Sequence, residues 1–147
     1  MVQPAFALDR DEGERVIFGD TVILLRATAH ATSGALTIWE ELPPIVDTPM
    51  HVHANEDELF HIIDGDHEFC CGDRQFCVGP GAFVYLPCGV PHGHRRIVPG
   101  TGRFLVMTTP GGFEGFFRML ADADRRGDLG PAAYARASAA FGITWLA

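Results

Sequence analysis

Apolar and polar positions alternate in short runs through most of the chain, then change to helical spacing near residue 110. Thr21–Ala27 (TVILLRA) is β-branched and apolar, which predicts a strand. Residues 35–42 (ALTIWEEL) alternate and are stopped by Pro43-Pro44, so they predict a second strand, with a loop over 45–49. Further strands are expected at 59–63, His67–Cys71, Arg74–Val78, 82–86, 92–98 and 102–109, divided by turns such as Asp64-Gly65-Asp66 and Gly72-Asp73. Many short strands with Gly and Pro turns between them imply an all-β sandwich or barrel. Beyond Thr109, Phe113, Phe116, Phe117 and Leu120 recur at helical spacing, predicting an amphipathic helix over 113–126. Gly127-Asp128-Leu129-Gly130 breaks it, and Pro131 suits the first turn of a second helix carrying Tyr134 and Phe141. This divides the chain into an N-terminal extension (1–20) over the outside of the barrel, a β-barrel (21–109) and a C-terminal helical extension (110–147).

At 147 residues, 47% of them hydrophobic and 20% charged, the chain has the length and composition of one globular domain. A formal charge of −8 argues against nucleic-acid and anionic-membrane partners, both of which favour a basic face. No apolar run approaches the roughly 20 residues of a bilayer span. Residues 1–9 lack a basic, signal-like start, so a cytoplasmic location is expected. Cys70, Cys71, Cys77 and Cys88 show no CxxC spacing and are expected as reduced packing residues; Cys88 stands out because it lies four residues before His92.

The chemistry is concentrated between Pro49 and Gly93. His51 and His53 are one residue apart on an extended segment, so their side chains share a face. Glu58 follows across the polar kink Ala54-Asn55-Glu56-Asp57, and His92 follows the rigid corner Pro87-Cys88-Gly89-Val90-Pro91. Three imidazoles and one carboxylate make a donor set for a single divalent transition metal ion; iron, manganese, nickel, copper and zinc all accept such ligands. Four protein ligands leave a coordination position open, the mark of a catalytic ion.

The segment His51-Val52-His53, then Glu58, then Gly65, followed by Gly81, Pro87, Gly89 and His92, resembles the paired signatures of the cupin superfamily. The resemblance implies a double-stranded β-helix, or jelly-roll barrel, with His51, His53, Glu58 and His92 as metal ligands. Ile45 and Arg96 stand where the family pattern often has glycine and asparagine, positions that are structural there. The Phe113 to Arg118 stretch after Thr109-Pro110-Gly111-Gly112 is similar to small cupins of the quercetin dioxygenase-like subset. That likeness implies dioxygenase chemistry on a small aromatic, enol or diketone-like compound, with Glu58 as the proton acceptor. A non-redox metal-dependent isomerase, cyclase or lyase and a non-catalytic binding barrel are the two alternatives, because one scaffold supports unrelated chemistries.

Strand parity extends the site. Phe60 and Ile62 share the face of Glu58 and are expected to wall the pocket, and His94 shares the face of His92 and is a candidate substrate contact. His61 has the opposite parity and faces outward; His30 and His67 read as loop or surface residues. The position of Tyr85 near Pro87 leaves its direction open. The apolar tail Ile143-Thr144-Trp145-Leu146 and an open sheet edge both need covering, which predicts a homodimer.

Overall fold

Thirteen segments of regular structure longer than a single turn alternate with tight turns in a computed structural model that describes residues 2–43, 45–99 and 102–146. The strands are β1 (Glu14–Phe18), β2 (Thr21–Ala27), β3 (Thr37–Leu42), β4 (Thr48–His53), β5 (Asp57–Asp64) and β6 (His67–Cys71). They continue with β7 (Arg74–Val78), β8 (Phe83–Leu86), β9 (His92–Arg96), β10 (Arg103–Thr109) and, after two helices, β11 (Ile143–Trp145). The helices are α1 (Glu114–Arg125) and α2 (Pro131–Ala140). One sheet has the order β1-β2-β3-β10-β5-β8 and the other β11-β4-β9-β6-β7. All pairings are antiparallel, and consecutive strands repeatedly cross between sheets, giving a double-stranded β-helix.

Alternation along each strand decides what lies between the sheets. Phe60 and Ile62 of β5, Phe69 of β6, Leu86 of β8 and Phe104 of β10 are buried there. The opposite parity carries polar or exposed residues, His61 among them. Glu40 is a buried exception on the outer side of β3, where Arg103 Nε lies 2.7 Å from Oε1 and Arg26 Nε 3.7 Å from Oε2. The Arg26 guanidinium also binds the carbonyls of Asp9 and Arg10, drawing the N-terminal segment across that outer surface.

Four details depart from the sequence expectation. No strand is expected from the sequence within the N-terminal extension (1–20), yet Glu14–Phe18 is a strand paired with β2. Val16 and Phe18 face the core there while Ile17 is half-exposed, and this third apolar residue masks the alternation. The expected loop over 45–49 ends early, because β4 begins at Thr48. Pro49 is tolerated in it because the β4–β9 register shifts between Thr48 and His51, where no ladder bond is needed from an imide nitrogen. His67, expected near the surface, is fully buried with its ring 5.3 Å from that of Phe104. The C-terminal tail forms β11 against β4 of its own chain, although Trp145 and Leu146 keep 43% and 41% of their surface exposed.

Helix α1 closes over one end of the barrel. Phe113, Phe116, Phe117 and Leu120 are buried on its inner face, and the rings of Phe113 and Phe117 lie 5.5 and 5.2 Å from Trp39. Glu114 anchors its first turn: the carboxylate accepts the amides of Ala29 at 2.8 Å and Gly112 at 3.1 Å, and the Thr37 hydroxyl. An acidic side chain there also complements the helix N-terminus. No helix among the described residues is long and apolar enough to cross a membrane.

Candidate metal centre

The β4–β9 pairing sets His51 directly opposite His92. Gly93 permits this approach, since a Cβ built on it would fall 2.8 Å from the Thr48 carbonyl oxygen. Backbone bonds hold the other two donors in place. The Gly89 amide donates to the His53 carbonyl at 2.9 Å, and the Ala54 amide to the Gly142 carbonyl at 2.9 Å. The kink before Glu58 is latched to the 87–91 corner by the Cys88 amide, which donates to Asp57 Oδ1 at 2.8 Å. The Cys88 thiol is turned toward the Ala54 carbonyl, 3.3 Å away, so this cysteine joins the two loops rather than the donor set.

As a result one ligand atom from each of His51, His53, Glu58 and His92 lies within 4.8 Å of the others, and all four residues are buried. His51 Nε2 is 3.1 Å from His53 Nε2, His92 Nε2 is 2.8 Å from Glu58 Oε2, and His53 Nε2 is 3.5 Å from Glu58 Oε2. Donors bound about 2.1 Å from a common ion are about 3.0–3.4 Å apart in octahedral or tetrahedral arrangements, so these separations fit.

The far sides of the rings decide the tautomers. His51 Nδ1 is 2.7 Å from the Pro49 carbonyl and His92 Nδ1 is 3.1 Å from the Val90 carbonyl. His53 Nδ1 faces Glu56 Oε2 at 3.4 Å, and neither atom has a hydrogen bond elsewhere among the described residues. Each Nδ1 therefore carries the proton, as the acceptors require, and each Nε2 offers a lone pair to the centre. Two such lone pairs 3.1 Å apart, buried beside a carboxylate, repel one another unless a cation lies between them. The residues fit a bound divalent metal ion.

Burial pulls the His51 imidazole down to about 4, so it is neutral near pH 7. Burial also lowers His53, but the Glu56 and Glu58 carboxylates outweigh it and the net direction is up. Burial raises Glu58, yet contact with the His92 imidazole, whose Nε2 lies 2.8 Å from Oε2, and the neighbouring His53 and His51 rings outweigh it and hold its carboxyl below the usual range.

The donors open onto a cavity of about 140 Å³. Trp39, Phe60, Val106, Phe113 and Phe117 form much of its apolar wall, and Glu41, Thr48 and His94 its other polar surface. The expected substrate residues separate here. Phe60 and His94 line this cavity. Ile62 is fully buried but lies outside the lining, although Phe104, its partner across the β5–β10 ladder, is part of it. Burial holds the His94 imidazole at about 4, and its Nδ1 has no hydrogen bond among the described residues. Tyr85 is half-exposed on the outer face of β8, and Arg96 is turned to Asp47 with Nε 3.4 Å from Oδ1. Glu41, Trp39, Glu56, Phe113 and Trp145 were not expected at the site. Only Glu41 and Trp39 had a local signal, their shared parity on β3.

The family model for the cupin domain matches residues 38–108. The chain belongs to the cupin superfamily. It is 28% identical over 121 residues to quercetin 2,3-dioxygenase of Bacillus subtilis, covering 80% of this chain but 35% of that protein, about a third of its length. This cupin is also similar in structure to an RmlC-like cupin from Shewanella frigidimarina, with a TM-score of 0.59 and 14% identity over 76% of this chain and 96% of that one. A variant of Bacillus subtilis oxalate decarboxylase aligns with a TM-score of 0.55 and 23% identity, covering 69% of this chain and 28% of its own. The two structural likenesses concern the fold.

Proposed function

We propose that this cupin is a metal-dependent dioxygenase acting on a small compound with an enol, diketone or catechol-type oxygen pair. The observation that carries the reading is the convergence of His51, His53, Glu58 and His92, the first three of which line a partly open, mainly apolar cavity. The relation to a quercetin dioxygenase supports it. A divalent transition ion held by these four side chains would supply Lewis acidity toward the substrate oxygens and, if redox-active, reactivity with dioxygen.

The chain's own groups divide the remaining work. Glu58 faces the cavity with a carboxyl below the usual range, so it is ionised at neutral pH and available to take the proton of an enol or catechol hydroxyl. Phe60, Trp39 and Phe113 supply an apolar wall against which a flat ring can lie. Cavity size favours a substrate smaller than a flavonol: an engineered apolar cavity of about 150 Å³ takes up benzene, and this one holds about 140 Å³.

The test is oxygen uptake by protein separately loaded with iron, nickel, manganese or copper, offered acetylacetone, catechol and quercetin. Uptake is expected with a single-ring or open-chain compound, and Glu58→Gln should abolish it while some metal stays bound. No uptake by any loaded form overturns the dioxygenase reading.

A further inference from the structure

The cavity has a second polar end. In the β5–β10–β3 ladder, Glu58 and Thr37 both pair with Thr108, and Phe60 and Trp39 both pair with Val106. The next inward positions are Ile62 opposite Phe104 and, two residues beyond Trp39, Glu41 opposite Ile23. Glu41 therefore sits two inward-facing layers from Glu58, roughly 13 Å along the strands. Its carboxyl nevertheless lines the same cavity as the metal donors.

Among the described residues this half-buried carboxylate has one hydrogen bond and the charge of Arg96 as its protein partners. Oε1 accepts the Val46 amide at 3.2 Å, and Oε2 has no hydrogen bond among the described residues. Burial pushes the group up to about 7 against the opposing effects of that amide and the Arg96 guanidinium. By contrast its neighbour Glu40, facing outward, lies between two arginines. Thr48 and His94, paired across β4 and β9, complete the polar side of the cavity, with His94 Nδ1 lacking a partner. Buried polar groups without partners are costly unless a ligand or water satisfies them.

We propose that Glu41 is a specificity residue that accepts a hydrogen bond from a hydroxyl or N–H group at the end of the substrate opposite its chelating oxygen pair. The substrate class is thereby narrowed to single-ring or similarly short enols and diketones with polar groups at both ends. This rests on the metal–enol reading given above.

Two probes separate the ideas. Kojic acid is a single-ring hydroxypyranone with a ketone and enol hydroxyl on one side and a hydroxymethyl group opposite; allomaltol carries a methyl in place of that hydroxymethyl. Binding to zinc-loaded and metal-stripped protein is measured by calorimetry, zinc being redox-silent. At pH 8.5, where Glu41 is ionised, zinc-loaded wild type should bind kojic acid about tenfold or more tightly than allomaltol, the scale of one hydrogen bond to a charged acceptor. Glu41→Leu should erase that preference by weakening kojic acid alone. If the leucine variant does not fold, Glu41→Gln decides, and it should reduce the preference severalfold. Equal affinity of wild type for both probes, or equal weakening of both by substitution, overturns the role of Glu41 while leaving the metal reading intact. Failure of both probes to distinguish zinc-loaded from metal-stripped protein overturns the metal–enol reading and this inference with it.

Discussion

The indole ring of Trp145 lies 4.9 Å from the imidazole of His51, tilted by 39°, and its Nε1 donates to Ser138 Oγ at 2.9 Å. A residue of the last strand thus buttresses a ligand of the fourth, and β11 ties the helical segment to the metal centre. Trp145→Ala should remove this support and part of the β4 edge cover. The expected cost is about 2 kcal/mol, a fall of roughly 5 °C in Tm, read by thermal unfolding of metal-stripped protein. An unchanged Tm would show the contact to be energetically idle.

Glu56 is the acceptor behind His53, buried and 3.4 Å from Nδ1. Outer partners of this kind typically change metal affinity by about 10–100-fold. Glu56→Ala is expected to weaken zinc binding within that range in a chelator competition. Affinity equal to wild type would exclude Glu56 from orienting the ligand.

Gly93 of β9 lies against the β4 backbone, where a Cβ would fall 2.8 Å from the Thr48 carbonyl oxygen. Gly93→Ala should force the strands apart at the His51–His92 pair, lowering metal affinity more than the overall fold is disturbed. Zinc competition together with far-ultraviolet circular dichroism checks this, and retained affinity would show that the strands adjust.

Glu114 satisfies two backbone amides and the buried Thr37 hydroxyl. Glu114→Ala leaves the Ala29 amide and the Thr37 hydroxyl without this acceptor, while the Gly112 amide keeps Thr37 Oγ1 at 3.0 Å; the cost is about 3 kcal/mol, roughly 10 °C in Tm. Thermal unfolding of the variant beside wild type should show the loss, and an unchanged Tm would show that other acceptors take over these donors.

Glu41 brings a pH dependence of defined sign. Its folded-state carboxyl is pushed up to about 7 from an ordinary 4.5, with Arg96 and the Val46 amide opposing the burial that raises it. The raised value means that its contribution to stability is complete below about 4.5 and is lost as pH rises through about 7. Glu41→Gln lacks this titration, so the Tm of the variant relative to wild type should increase between pH 5 and pH 8. A constant difference would mean that Glu41 is solvated as an ordinary carboxylate.

The local sequence was enough to bring the four candidate donors together because its logic is short-range. Strand parity places His51 and His53 on one face, and the Pro87 to Pro91 corner brings His92 to its strand within a few residues. The same rule turned Phe60 and Ile62 inward, but parity reports only a face and not which inward residues reach the cavity: Phe60 lines it and Ile62 does not. His67 read as peripheral because it follows a turn; pairing of β6 with both β7 and β9 encloses it. What tertiary structure alone decided is the company the donors keep. Glu41, Phe113 and Trp145 are far from the ligands in the chain and reach the site through strand pairing and helix packing. Donor type and spacing are properties of a strand, while the shape and polarity of a cavity belong to the surfaces that close around it, which exist only once both sheets and the C-terminal segment have assembled.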